Sequence, residues 1–354
     1  MKILFINWHD LNVAGGCESI FNNLLRIFPN SKYVSVNKAM LSLGVVFTEK
    51  PPKRFFVIDN SCFICDYIKL LYDAGFKYDA IVSNDCCLSF LDKDIEVPII
   101  TLSQNNYKWI AEKLHKMDLY DYAQFNEFGR LYTLLQKRQF DKSSTIVAVS
   151  NYVKKYISEF GDYRVKVIEH GVDTEIFNEK NKRDLREKYN IKGKKVGIWV
   201  GKFHPLKWNF MPEIIKATKD ITWILVFDQV VNYKPVAKNL KLYAGVNHEI
   251  LSELYNCADF FLLPSIEESF NLSAIESLAC NVPIITTNVG YFYGKKGIQD
   301  FGYIVNKLNP KEFINAINVV LKKDFEPRRF VFENKLDLNS WKKRWESFLY
   351  KKDF

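Results

Sequence analysis

The chain has 354 residues, 48% of them hydrophobic and 26% charged, with a formal net charge of +9. That length exceeds one ordinary core and suits two domains, and the mixture is that of a globular protein. No run of roughly eighteen apolar residues is present, which excludes a membrane-spanning helix, and the lysines form no dense block or aromatic-basic motif, which argues against nucleic acid and leaves phosphates or an anionic membrane face as partners.

The N-terminus, MKILFINWHD, is too short and too soon polar for a signal peptide. It reads as a first buried strand, Lys2–Asn7. Gly15 and Gly16 follow, where backbone without a Cβ can approach a phosphate closely. A helix is predicted over Glu18–Phe28, with Ile20, Phe21, Leu24, Leu25 and Phe28 on one face. Further strands are predicted at Tyr33–Val36, Phe55–Ile58, Tyr78–Ser83, Pro98–Leu102 and Thr145–Ser150, with helices at Cys62–Tyr72, Phe125–Phe140 and Tyr152–Phe160. This is the strand–helix rhythm of a doubly wound parallel sheet. The seven cysteines are odd in number and follow no secretory signal, which points to reduced thiols in a cytoplasmic compartment. Cys62, Cys65, Cys86 and Cys87 read as small buried hydrophobes, because adjacent cysteines rarely form the second ligand pair of a closed zinc site. Asp92 and Asp94 read as surface.

Val165–Lys194 holds a short strand, the turn His170–Asp173 and a charged helix, Arg183–Tyr189, and the domain boundary is placed near residue 165. The rhythm then restarts. Strands are predicted at Lys195–Val200, Trp223–Phe227, Leu240–Tyr243, Asp259–Leu263, Pro283–Thr287 and Gly302–Val305, and helices at Asn209–Thr218, His248–Cys257 and Pro310–Leu321. The last segment, Ser340–Tyr350, is amphipathic, with Trp341, Trp345 and Phe348 on one stripe that needs covering, by the protein itself or by a membrane interface.

The most informative stretch is Pro264–Pro283, PSIEESFNLSAIESLACNVP. Its glutamates Glu268 and Glu276 stand eight residues apart across a turn-to-helix junction. Glu268 falls in the loop beyond a strand's carboxyl end; Glu276 falls about two turns into a helix for which Ser269 and Asn271 are both plausible caps. Between them, helix-start N–H groups can receive an anion. Carboxylates on either side of an anion site suit a nucleotide sugar, with hydroxyls at both ends of its diphosphate.

That stretch resembles the signature of the retaining glycosyltransferases of family 4. Other segments that resemble the family fall in the same order: Ala14–Ser19 as the Gly-Gly loop, Val149–Ile157 as a strand-to-helix step, Val167–Phe177 as the interdomain GVD segment, and Val200–Trp208 as a loop with two cations. The resemblance implies a GT-B fold: two Rossmann-like, doubly wound parallel-sheet domains facing across a cleft. The expected division is 1–165 on the acceptor side, 166–335 binding the nucleotide sugar, and a C-terminal helix, 336–354, crossing back to the first domain.

The resemblance further implies a retaining transferase moving a hexose from a UDP- or GDP-type donor, without a metal or other cofactor, to a glycan, lipid-linked or protein acceptor. Peripheral attachment to the inner membrane face fits a lipid-linked acceptor. Glu268 would hold donor-sugar hydroxyls, Glu276 the ribose, and Ser269, Phe270, Asn271 and Leu272 would present backbone to the sugar and diphosphate. Lys202 and Lys207 would offset charge on the leaving diphosphate, with His204 between them as a further phosphate partner. Glu267 is the neighbour from which Glu268 must be told apart, and only Glu268 has the spacing to Glu276. Many family members carry a histidine after the strand corresponding to Pro98–Leu102; this chain has Ser103–Asn106, SQNN, where Gln104 or Asn105 would serve as a neutral donor to a sugar hydroxyl. A same-fold epimerase or phosphorylase, and a nucleotide-sugar-binding protein that has lost turnover, are the alternatives.

Overall fold

The computed structural model describes residues 1–11, 16–35, 39, 53–92, 95–117, 123–231, 237, 239–352 and 354. Gly15 and Asp94 lie outside them. The chain divides into two compact units, residues 1–168 with 342–354, and residues 169–341. Each is built on one six-stranded sheet.

In the first unit the strands are β1 (Ile3–Asn7), β2 (Lys32–Ser35), β3 (Ala80–Asn84), β4 (Ile99–Ser103), β5 (Thr145–Ala148) and β6 (Val165–Val167). They pair in the order β2-β1-β3-β4-β5-β6, all parallel. β1, β3, β4 and β5 are buried along their whole length, so they read as continuous apolar runs rather than alternating ones. Leu4, Ile6, Ile64, Ile68, Ile81 and Leu88 form the core of this unit with Cys65 and Cys87, which behave as small hydrophobes there.

The second unit holds β7 (Lys195–Gly201), β8 (Ile221–Phe227), β9 (Leu240–Ala244), β10 (Phe260–Leu263), β11 (Ile284–Thr287) and β12 (Gly302–Val305), in the order β12-β11-β10-β7-β8-β9 and again all parallel. Trp199, Trp223 and Phe260 centre its core, with Trp223 and Phe260 edge to face at 5.5 Å. In each sheet the chain builds outward on one side and then returns to build on the other. The two sheets therefore have topological switch points, at β1/β3 and at β7/β10, where ligands of doubly wound folds bind beyond the carboxyl ends.

Several sequence expectations change. The strand expected at Phe55–Ile58 is the start of one helix, Lys53–Asp73, that also contains Cys62–Tyr72. A four-residue apolar run cannot by itself distinguish a strand from the first turn of a helix. Ser61 is in fact buried and donates to the Cys86 carbonyl at 3.3 Å. Tyr107–Lys116 and Pro327–Glu333 are helices that periodicity did not flag. The helix expected at Asn209–Thr218 is present as Met211–Ala217, and a one-turn helix that was not expected, Pro205–Trp208, precedes it.

The C-terminal helix, Leu338–Tyr350, buries its aromatic stripe: Trp341 and Trp345 are each 1% exposed and Phe348 is 2% exposed. The protein itself covers that stripe, and the Tyr350 ring meets Phe28 at 5.7 Å. The turn at His170–Asp173 needs its glycine, because a Cβ on Gly171 would stand 2.9 Å from the Asp337 carbonyl and 2.5 Å from the Trp341 Cβ.

Candidate functional site

The site residues of the second unit converge beyond the carboxyl ends of β7 and β10, at the switch point. After β7 the chain runs through Lys202 and His204 into the turn Pro205–Trp208, with Pro205 at a position where its missing N–H removes nothing from a helix. After β10 it runs through Ser265 to Asn271 and into the helix Leu272–Ala279. The two loops are tied by a backbone bond from Ile266 N–H to the Leu206 carbonyl, 2.7 Å. Thr287, ending β11, donates its hydroxyl to the Ser265 carbonyl at 2.6 Å.

Lys207 and Glu268 meet between these loops. The ammonium lies 2.8 Å from one carboxylate oxygen and 2.9 Å from the other. Ser265 Oγ donates to Glu268 Oε1 at 2.8 Å. The Glu268 side chain is 9% exposed and that of Lys207 30%, so the pair is screened less than a surface ion pair while each partner remains reachable. Glu267, by contrast, is turned into the protein and 4% exposed. His204 accepts the Leu206 N–H at Nδ1, 3.2 Å, capping the turn. Burial first, then the charge of Lys207, pushes its pKa down to about 4, so near neutral pH the imidazole is uncharged and Nε2 carries its proton. Lys202 is exposed and makes no ion pair among the described residues.

Asn271 stands at the N-cap of the helix Leu272–Ala279 but does not cap it with its side chain. Its φ is +75°, a left-handed conformation that asparagine tolerates better than most residues and glycine adopts freely. Its Oδ1 instead accepts the Tyr291 N–H at 3.1 Å, pinning the loop after β11. Gly290, in that loop, has φ +61°, and a Cβ there would collide with Asn271 Oδ1 and stand 3.2 Å from Glu268 Cβ. Only glycine fits without moving the glutamate. Phe270 is buried, edge to face with His170 at 4.9 Å and Tyr291 at 5.3 Å, so the turn Ser269–Asn271 is held by ring packing. Ser269 and Leu272 are partly exposed beside it.

Glu276 is 8% exposed, and its Oε2 lies 3.2 Å from the Tyr255 hydroxyl, which also lies 3.0 Å from the Ser273 carbonyl. Burial pushes its pKa up to about 7 against the lowering effect of Tyr255. A half-satisfied buried carboxylate can accept further hydroxyl hydrogens. Tyr255 had no sequence signal; 21 positions separate it from Glu276.

In the first unit, Gly16 opens the helix Gly16–Ile27. Gln104 follows β4 directly and is 8% exposed. The donors expected of Gln104 and Asn105 are both engaged inside the protein: Gln104 Nε2 donates to Asn84 Oδ1 at 3.1 Å, and Asn105 Nδ2 donates to Asp85 Oδ2. A groove of about 560 Å³ lies between the helices Tyr107–Lys116 and Ala123–Phe140, lined in part by Lys108, His115, Arg130 and the exposed Leu134.

Comparison with known proteins adds to this geometry. Residues 232–336 match the family model of glycosyl transferases group 1. An uncharacterized glycosyltransferase of Methanocaldococcus jannaschii is 30% identical over 217 residues, 57% of this chain and 57% of that one. The chain spans about half the length of the curated relatives it matches. Among solved structures, sucrose-phosphate synthase from Thermosynechococcus elongatus superposes with a TM-score of 0.82 at 16% identity, over 99% of this chain and 98% of that one. HepE of Anabaena in complex with UDP-glucose does so with a TM-score of 0.74 at 15% identity, over 99% and 100%. These likenesses show the GT-B fold.

Proposed function

We propose that this chain, which resembles the glycosyl transferases group 1 family over residues 232–336, is a retaining glycosyltransferase that moves a hexose from a nucleoside-diphosphate sugar to a glycan or lipid-linked acceptor. The observation that carries the reading is the Lys207–Glu268 pair, which offers a cation and a carboxylate together beyond adjacent strand ends. In this reading the Glu268 carboxylate accepts hydroxyl hydrogens of the donor sugar, as strong charge-assisted bonds. Lys207, with Lys202 near the same loop, meets the negative charge that grows on the diphosphate as the glycosidic bond breaks. A fixed cation there favours the transition state over the ground state. Neutral His204 donates from Nε2 to a phosphate oxygen. The amides of Ser269 to Leu272 face the diphosphate. Glu276 receives both ribose hydroxyls. The lysines supply the positive charge, so the transfer is proposed to be metal-independent.

A thermal-shift panel of UDP-, GDP- and ADP-hexoses tests the reading. One base is expected to raise the melting temperature, since a ligand at a hundred times its Kd adds about 2.7 kcal/mol to the folded state. Slow release of nucleoside diphosphate, persisting with a chelator present, is expected beside it. Stabilisation without release would favour the binding protein that has lost turnover, and no stabilisation by any donor would remove the reading.

For the acceptor, the net charge of +9 and the exposed Arg130 and Leu134 at this groove support peripheral attachment of the first unit to an anionic membrane face. Among the described residues no helix is long and apolar enough to cross a membrane. The protein is expected to sediment with anionic but not neutral vesicles at low salt and to be released at high salt, where such attraction is screened. Equal sedimentation with both kinds, or with neither, would point to a soluble acceptor.

A further inference from the structure

Tyr255 lies in the helix His248–Asn256 and is fully buried. Two rings fix it: Phe261 of β10 stands edge to face at 5.8 Å, and Phe177 does so at 6.2 Å. Phe177 is itself anchored, since its carbonyl accepts from Arg328 Nη1 at 3.0 Å. The Tyr255 hydroxyl is thereby aimed at the helix Leu272–Ala279, where two acceptors lie within reach: the Ser273 carbonyl at 3.0 Å and Glu276 Oε2 at 3.2 Å.

A phenol has one hydrogen and can serve one of these acceptors at a time. Burial first, then the charge of Glu276, holds that hydrogen on the phenol well above its ordinary range. The Ser273 carbonyl does not depend on it, because a helical carbonyl already accepts the N–H four residues on. Glu276 does depend on it: among the described residues Tyr255 is the one hydrogen-bond partner of its side chain. Two arrangements of the same atoms follow. When the carboxyl is protonated, its hydrogen goes from Oε2 to the phenol oxygen, and the phenol hydrogen goes to Ser273. When the carboxylate is ionised, the phenol hydrogen turns to Oε2. That oxygen is held in both arrangements, and Oε1 and a second lone pair of Oε2 stay open to two hydroxyl hydrogens.

The other elements packed on this helix present no rival group to Glu276. β10 and β11 carry no titratable side chain. On Pro327–Glu333, Arg328 is engaged by the Thr174, Phe177 and Ala279 carbonyls, and Arg329 pairs with Glu326 and Glu333. On His248–Asn256, His248 and Glu249 are exposed and Glu253 pairs with Lys188. Cys280, at the end of the helix, stays a thiol, burial pushing it up to about 12.

We propose that Tyr255 is a positioning residue of the nucleotide site: its single hydrogen turns from Ser273 to Glu276 as the carboxylate ionises, which fixes Glu276 for a ribose diol and favours the charged form that binds it. The inference rests on the ribose reading of Glu276 above. Tyr255 touches no substrate in it and acts through the glutamate.

Tyr255→Phe keeps the ring and removes only the hydroxyl. Carbon-13 NMR titration of the Glu276 carboxyl in the ligand-free protein is expected to place its midpoint, about 7 in the wild type, higher in the variant. The displacement should be about one to two pH units, the scale of one hydrogen bond to a charged group. Affinity for the nucleoside diphosphate of the stabilising donor should follow it. At about pH 7 the variant is expected to bind about tenfold or more weakly, and the gap should narrow toward about pH 9 as both proteins ionise. In the Glu276→Gln background the same substitution should change affinity equally at the two pH values. A tyrosine that only packs would lower affinity by one factor at every pH, or leave the carboxyl midpoint in place, and either result overturns the proposal. If the wild-type protein binds no nucleoside diphosphate, the ribose reading fails, and the carboxyl titration alone decides whether Tyr255 governs Glu276.

Discussion

Replacing Lys207 by alanine is expected to lower turnover roughly 10²–10³-fold, the scale on which removing one fixed electrostatic partner of a transition state acts. The donor's dissociation constant should rise far less. Both expectations come from one physical point. The ammonium is already held at 2.8 and 2.9 Å by the Glu268 carboxylate, so much of its charge is offset in the resting site. Charge that appears on a leaving diphosphate adds a partner the ground state lacks. His204 does not substitute for it, because burial holds its pKa down to about 4 and keeps it neutral. Single-turnover release of nucleoside diphosphate, set against equilibrium donor binding by the same folded variant, separates the two quantities. Normal turnover with weaker binding would make Lys207 a docking residue.

Glu276→Gln is expected to bind nucleoside diphosphate more weakly by about 1–3 kcal/mol, the scale of hydrogen bonds to a charged group, and yet to fold more stably. Burial raises the Glu276 pKa from 4.5 to about 7. The folded protein therefore keeps a proton there that the unfolded chain releases above its lower pKa. Wild-type stability falls as pH rises between those values, and the loss is complete above pH 7. Glutamine cannot ionise, so the variant should be more stable at pH 8 by up to about 3 kcal/mol, with little difference near pH 4.5. Melting curves at the two pH values measure it. Wild-type nucleotide affinity should rise through about pH 7 as the carboxylate forms, and that of the variant should not. Unchanged nucleotide affinity in the folded variant would sink the ribose assignment. The conflict between stability and binding at one side chain is what a buried, half-satisfied binding carboxylate should show.

Much of this was legible in the chain itself. Strands buried on both faces must be runs of apolar residues, and β1, β3, β7, β8 and β10 stand close to where such runs predict them. Their alternation with helical patterns specifies parallel sheets, because parallel neighbours need crossovers. The spacing of Glu268 and Glu276 survives as a local fact, since both belong to one strand–loop–helix unit. The run at Phe55–Ile58 was misread because four apolar residues carry no period, and the neighbours that settle the matter are distant in sequence.

What the tertiary structure alone decided are the pairings. Lys207 and Glu268 are 61 positions apart and meet because β7 and β10, not consecutive in the chain, are neighbours in the sheet. Asn7 and Asn84 are 77 positions apart and Asn84 and Gln104 are 20 apart; nothing in their separate neighbourhoods marks them as hydrogen-bond partners. The degree of burial at Glu276, and so its shifted pKa, depends on Tyr255 and the packing around it. Periodicity and local motifs are written in contiguous residues, whereas strand order, desolvation and the direction of a hydrogen bond are properties of neighbours in space.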